Sequence, residues 1–334
     1  MFRCLTLILF LFCFYSGLVA ADKTDDNALL LRLDKMIEQR EVYQKKVEKE
    51  ITELRKMLDY VGDDKAKFDI LSDLFVMYRS FKVDTALIVA EERLQLADRL
   101  GEEYVNQGLM NLADALNKIG KHEKALEVLD RVKRTEAVRK DTYFYYLYHT
   151  TYLSCYNDET EASKKRLFMQ QIKAYKDTLI AISDPNTASY VTNKCGRLGL
   201  QGKWDEAIQI LSGYYEHCAD TNPDKASVEY LLAELYLGKR DMQQAKHFLI
   251  RASITDIANA KKVYMSLQQL AILLFQEGDI ARAYNYISCS LEDVSFGKAR
   301  YRIIDIAEYL PIIKAANDSR IKADRDRVLF FLLT

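Results

Sequence analysis

The stretch "GKWDEAIQIL", residues 202–211, decides the fold. Gly202 opens it, four residues intervene before Ala207, and a large apolar residue, Leu211, follows four further on. The same rhythm recurs in "GKHEKALEVL" at 120–129, with Gly120 and Ala125, and in "GDIARAYNYI" at 278–287, with Gly278 and Ala283. Ala245 and, in a weaker copy, Ala86 sit in matching surroundings. Trp204, the single tryptophan of the chain, stands beside Asp205 and Glu206 inside the first of these stretches. Because the stretch repeats, we read Trp204 as a structural joint in the turn between two helices, packed across a neighbouring unit, and not as part of a binding site.

The totals exclude several classes. The 334 residues contain only 12 glycines and 3 prolines, and long breaker-free runs rich in Ala, Leu, Lys, Glu and Gln favour helices. No sustained alternation calls for a sheet, so the chain is all-α. The 48 basic and 49 acidic residues nearly cancel; no net field draws nucleic acid, and no direct nucleic-acid binding is expected. The sequence contains no phosphate loop, dinucleotide fingerprint, metalloprotease helix or nucleophile elbow. His122, His149, His217 and His247 fall at unrelated places in the repeat, and His217 beside Cys218 supplies too few ligands for a metal. The expectation is a non-enzymatic chain without cofactor or metal.

Residues 1–21 differ from the rest: Arg3, an apolar run from Leu5 to Tyr15, then Ala20 and Ala21. That order predicts a secretory signal, hence an exported, periplasmic chain. Cleavage would leave Cys155, Cys195, Cys218 and Cys289, which we read as thiols because a large helical array does not need bridges.

Around each anchor alanine the preceding helix carries one apolar stripe with a small residue in it: Leu109, Leu112, Ala113 and Leu116 before Ala125; Leu232, Ala233 and Tyr236 before Ala245; Leu267, Leu270, Ala271 and Leu274 before Ala283. The small residues let two helices approach, and neither helix buries its stripe alone, so units must stack into a superhelix with an inner groove. This pattern resembles the tetratricopeptide repeat (TPR). The resemblance implies a right-handed α-solenoid of helix pairs, about six units over 63–295, with one diverged copy between 141 and 182. An N-terminal long helix (22–62) is expected to cap the first repeat. Closing helices over 296–327, broken at Pro311, and an apolar tail at 328–334 complete the reading.

"TYFYYLYHTTYLSCY" supplies the candidate binding residues: Tyr143, Tyr145, Tyr146, Tyr148 and Tyr152. Phe144, Tyr148, Tyr152 and Tyr156 share one helix face. Two readings stand: packing between units, or a tyrosine-lined groove suited to a peptide or a glycan.

The signal, the helix "LDKMIEQREVYQKKVEKEITELRKML", the segment "DTALIVAEERLQLA" and the closing "LPIIKAAND" before basic residues and an apolar run together resemble a bacterial domain-of-unknown-function family of single-span sensors. What the resemblance implies is an exported TPR region ending where a membrane helix begins, with membrane attachment at the C-terminus and a protein or peptide partner. A freestanding periplasmic scaffold is the alternative.

Overall fold

The computed structural model describes residues 26–219, 222–262 and 264–333; the expected signal segment lies outside them. Among the described residues the chain is helical throughout, with no strand. Six helix pairs form the array: α3 (Asp64–Phe81) with α4 (Val83–Leu100), α5 (Glu102–Lys118) with α6 (His122–Asp130), and, after the short α7 (Glu136–Arg139), α8 (Thr142–Asp158) with α9 (Ala162–Ile182). Then come α10 (Ala188–Gly199) with α11 (Trp204–Glu216), α12 (Lys225–Lys239) with α13 (Met242–Ala258), and α14 (Ser266–Glu277) with α15 (Ile280–Gly297). Before the array lie α1 (26–38) and α2 (Arg40–Tyr60), and after it α16 (Arg300–Leu333). Repeats of this class have about 34 residues; the extra length here sits in long second helices, such as α9 with 21 residues and α15 with 18.

The recurring stretch is the turn inside a pair. Gly120, Gly202 and Gly278 stand at φ +85°, +75° and +88°, the left-handed region where a β-carbon is penalised. The next residue's N–H then reaches back to close the first helix: Lys121 to Leu116 O at 2.9 Å, Lys203 to Leu198 O at 3.0 Å, Asp279 to Leu274 O at 2.9 Å. The second helix starts at once, and its fourth residue is the alanine. Ala86, Ala125, Ala207, Ala245 and Ala283 all have no exposed surface. In the diverged pair, the fourth residue of α9 is Lys165, whose ammonium sits 5.0 Å from the Tyr156 ring centroid.

Trp204 is the first residue of α11, half-buried, with its indole running to the next pair. A β-carbon at Gly199 of α10 would stand 3.2 Å from its Cζ3, and one at Gly238 of α12 would stand 2.7 Å from the same atom. The ring therefore occupies a slot left by two glycines, one from each unit.

Two expectations are corrected. The N-terminal segment is not one helix capping the first repeat, because the chain breaks at Gln39 (φ −101°, ψ 11°). α2 packs on α3 through Ile51, but α1 crosses to the far end of the array, where Leu30, Leu33, Met36 and Ile37 join the core of α13 and α15. Asp34 accepts from Tyr286 Oη at 2.7 Å and from Arg282 Nε at 3.0 Å, and Asp26 pairs with His247 at 2.8 Å. The Lys262 N–H donates to Ser80 O at 2.8 Å, and Phe81 meets Phe296 edge-on at 5.3 Å. The array is thus closed on itself, and the break turns α1 onto that seam.

Nor does Pro311 break the closing segment: α16 runs through it for 34 residues. Proline removes the hydrogen bond to the carbonyl four residues back. Both Ala307 and Pro311 face solvent, the side of a helix on which a freed carbonyl can tilt out to water. Ile313 and Asn317 are the last buried residues, and Val328 to Leu333 form exposed final turns. No described helix is long and apolar enough to cross a membrane.

The fifth pair lacks the turn glycine: Arg240 occupies it at φ +64°, with Asp241 N–H bonded to Tyr236 O at 2.9 Å. Arg240→Gly should raise stability by about 0.5–1 kcal/mol, the left-handed strain removed less the added chain entropy. Gly238→Ala should instead lower it by about 1–2 kcal/mol, because the methyl meets a rigid indole. Urea midpoints of the two variants check both signs.

Candidate functional site

The first helices of the pairs line the inside of the closed array. On α8, Tyr146, Thr150, Leu153, Ser154 and Asn157 follow one stripe of a helix that faces a channel of about 650 Å³. Asp114, Asn117 and Lys118 of α5 form one wall, and Gln268, Gln269, Ile272 and Gln276 of α14 the opposite one. Glu308 and Tyr309 of α16 close the end. The lining is dominated by amides, hydroxyls and carboxylates on rigid helices, which suits hydrogen bonding to an extended polar chain.

Two buried groups hold the α5 wall in place. The Asp114 carboxylate, 2 % exposed, receives Arg79 Nη2 at 2.9 Å and Tyr143 Oη at 2.9 Å. Burial, and then the Asp114 charge, push the Tyr143 phenol well above its ordinary pKa, so it stays a donor. His122 lies 2.7 Å from Asn117 Oδ1 through Nδ1 and 3.1 Å from Asp158 Oδ2 through Nε2. Burial lowers its pKa, and Asp158 opposes that shift.

The candidate tyrosines separate. Tyr145, Tyr148 and Tyr152 turn to α9 and gather on Tyr175: Tyr148 stacks on it at 4.8 Å and 4°, Tyr152 at 5.7 Å, and Tyr145 lies at 6.4 Å. Tyr148 Oη also donates to Asp130 at 2.6 Å, tying the unit to the preceding α6. These three rings hold the diverged pair together. Tyr143 is spent on Asp114, which leaves Tyr146, 40 % exposed, as the ring presented to the channel. Sequence reasoning missed the α14 glutamines and the α16 contribution. The signal was present as polar residues interrupting apolar stripes, but which stripes face one another depends on closure.

This geometry is that of a TPR domain, a helical-repeat module for protein–protein interaction whose families are typically non-catalytic scaffolds. The family described as the SusR N-terminal TPR domain matches residues 37–308, and the chain belongs to it. No curated protein matches. Among solved structures, a thermophilic TPR protein of Thermus thermophilus is similar at 18% identity and TM-score 0.44, over 69% of this chain and 100% of that one. The TPR2AB domain of yeast Sti1 in its pHSP90 complex is similar at 12% identity and TM-score 0.34, over 84% of this chain and 98% of that one.

The division among the tyrosines has a thermodynamic consequence. Tyr148→Ala should cost about 3–5 kcal/mol, as a buried aromatic truncation, whereas Tyr146→Ala should stay within about 0.5 kcal/mol. Denaturant titration of both variants, followed by helical circular dichroism, makes the comparison.

Proposed function

We propose that the chain is the sensing or scaffolding part of a membrane-linked regulator, and that it holds an extended peptide or protein segment in the channel between α5, α8, α14 and α16. The observation that carries this reading is the channel's lining: a stripe of hydroxyls and amides with Tyr146 presented from α8 and Tyr309 at the end, on helices otherwise committed to packing. Asparagine and glutamine side chains pair with peptide N–H and C=O groups, and a tyrosine gives apolar area plus a hydroxyl at low entropic cost. Affinity would come from several shallow contacts summed along the segment. The export and membrane linkage rest on the resemblance and on the expected signal at 1–21.

A photoreactive phenylalanine at position 146 should give a covalent product with one defined polypeptide in cells, and the same group at Ile88, exposed on α4, should not. Filling the channel with Ser154→Trp should remove the product. Equal labelling from both positions, or labelling that survives Ser154→Trp, contradicts the channel. Fractionation tests the other half of the reading: firm retention in membranes supports the regulator, and release on osmotic shock leaves a freestanding scaffold.

A further inference from the structure

A second cavity, of about 340 Å³, lies beside the channel among α3, α4, α5 and the start of α8. Arg93 of α4 lines it, 4 % exposed. Its Nε donates to the Phe68 carbonyl at 3.3 Å, its Nη2 to Gln107 Oε1 at 3.1 Å, and its guanidinium lies 3.9 Å from the Phe68 ring centroid. A guanidinium carries five N–H donors, so donors are left over, and among the described residues no carboxylate lies within ion-pair distance of it. Asp69 and Asp73 of α3 act on it only from further away. Burying a charge without a close counter-charge is unfavourable. The contrast with Arg79 in the same cavity is direct. Burial is the largest influence on both cations and disfavours them, but Asp114 together with Tyr143 and Tyr146 outweighs it and holds Arg79 above its ordinary pKa, whereas Arg93 falls to about 10.

A third group points the same way. Asn111 of α5 lines the cavity, 6 % exposed, and its amide has no hydrogen-bond partner among the described residues. The one carboxylate on the lining, Asp141, is engaged as the N-cap of α8, accepting from the Tyr143 N–H at 2.8 Å. A cavity with a buried cation lacking a close counter-charge, a second arginine and a free amide has the donor set for an oxyanion, a carboxylate or a phosphoryl group.

We infer that Arg93, Arg79 and Asn111 form an oxyanion-binding subsite next to the channel. It goes beyond the channel reading and stands on its own groups: the titration below reads the subsite whether or not the channel holds a peptide.

Thermal midpoints of the full chain, measured in sodium acetate, sodium phosphate and sodium chloride at matched ionic strength, test it. The midpoint should rise saturably in acetate, in phosphate or in both, above the chloride baseline, since a ligand bound only to the folded state stabilises it. Acetate alone identifies a carboxylate subsite, phosphate alone a phosphoryl one, and both a general oxyanion subsite. Asn111→Ala should raise the apparent dissociation constant about tenfold or more, as expected for one lost hydrogen bond to a charged group. Asn111→Asp supplies an internal carboxylate: it should raise the midpoint in chloride and abolish the anion response. Identical midpoints in the three salts, a response that survives Asn111→Asp, or a lower chloride midpoint for that variant would overturn the subsite. Arg93→Gln adds loss of response where it folds, and the two Asn111 variants carry the test without it.

Discussion

The packing of α1 across the seam is the constraint on which the interior depends. Its apolar stripe, Leu30, Leu33, Met36 and Ile37, is buried against α13 and α15. Each such side chain contributes about 1.5–3 kcal/mol when fully removed from water, as an upper estimate. Asp34 with Arg282 is a partly exposed pair, 26% and 29%, and pairs of that kind contribute about 1 kcal/mol or less. Magnitude therefore assigns the roles: the stripe holds the seam, and Asp34 and Asp26 fix its register. Tyr286 strengthens that register, because its buried hydroxyl has Asp34 as its acceptor. Closure in turn brings α14 and α16 opposite α5 and α8, and without that opposition there is a concave face but no channel.

Within the array, a unit can lose its signature and survive if other packing replaces it. The α8–α9 pair has Lys165 where the others have alanine, and it compensates with a cluster of rings centred on Tyr175. The aromatic density that drew attention to this segment is largely the remedy for that divergence. Tyr146 stacks on Tyr143 at 6.4 Å but keeps an exposed face toward the interior.

What the sequence disclosed follows from what is local. The turn glycines, the buried alanines and the all-α class rest on spacings within about forty residues, and those physical rules act at short range. The break at Gln39 was not legible, because neither proline nor glycine marks it. Its cause is a surface that Asp34 reaches 248 and 252 residues further along the chain. Pro311 misled in the opposite direction: a breaker on a solvent-facing side costs one bond that water can replace. For the site, the tyrosine-rich helix was visible, but its rings sorted themselves by partners on α5, α6 and α9. Arg93 and Asn111 gave no sequence signal, since an uncompensated charge is a property of surroundings and not of spacing.

The closed array is the central claim, and a distance across the seam tests it most directly. Spin labels at Leu31 on α1 and Met242 at the start of α13, both exposed, should report one short, narrow separation by pulsed electron resonance, unchanged by dilution. A broad distribution at long distance would show an open solenoid with a free N-terminal helix, and the channel would lose the side formed by α14 and α16.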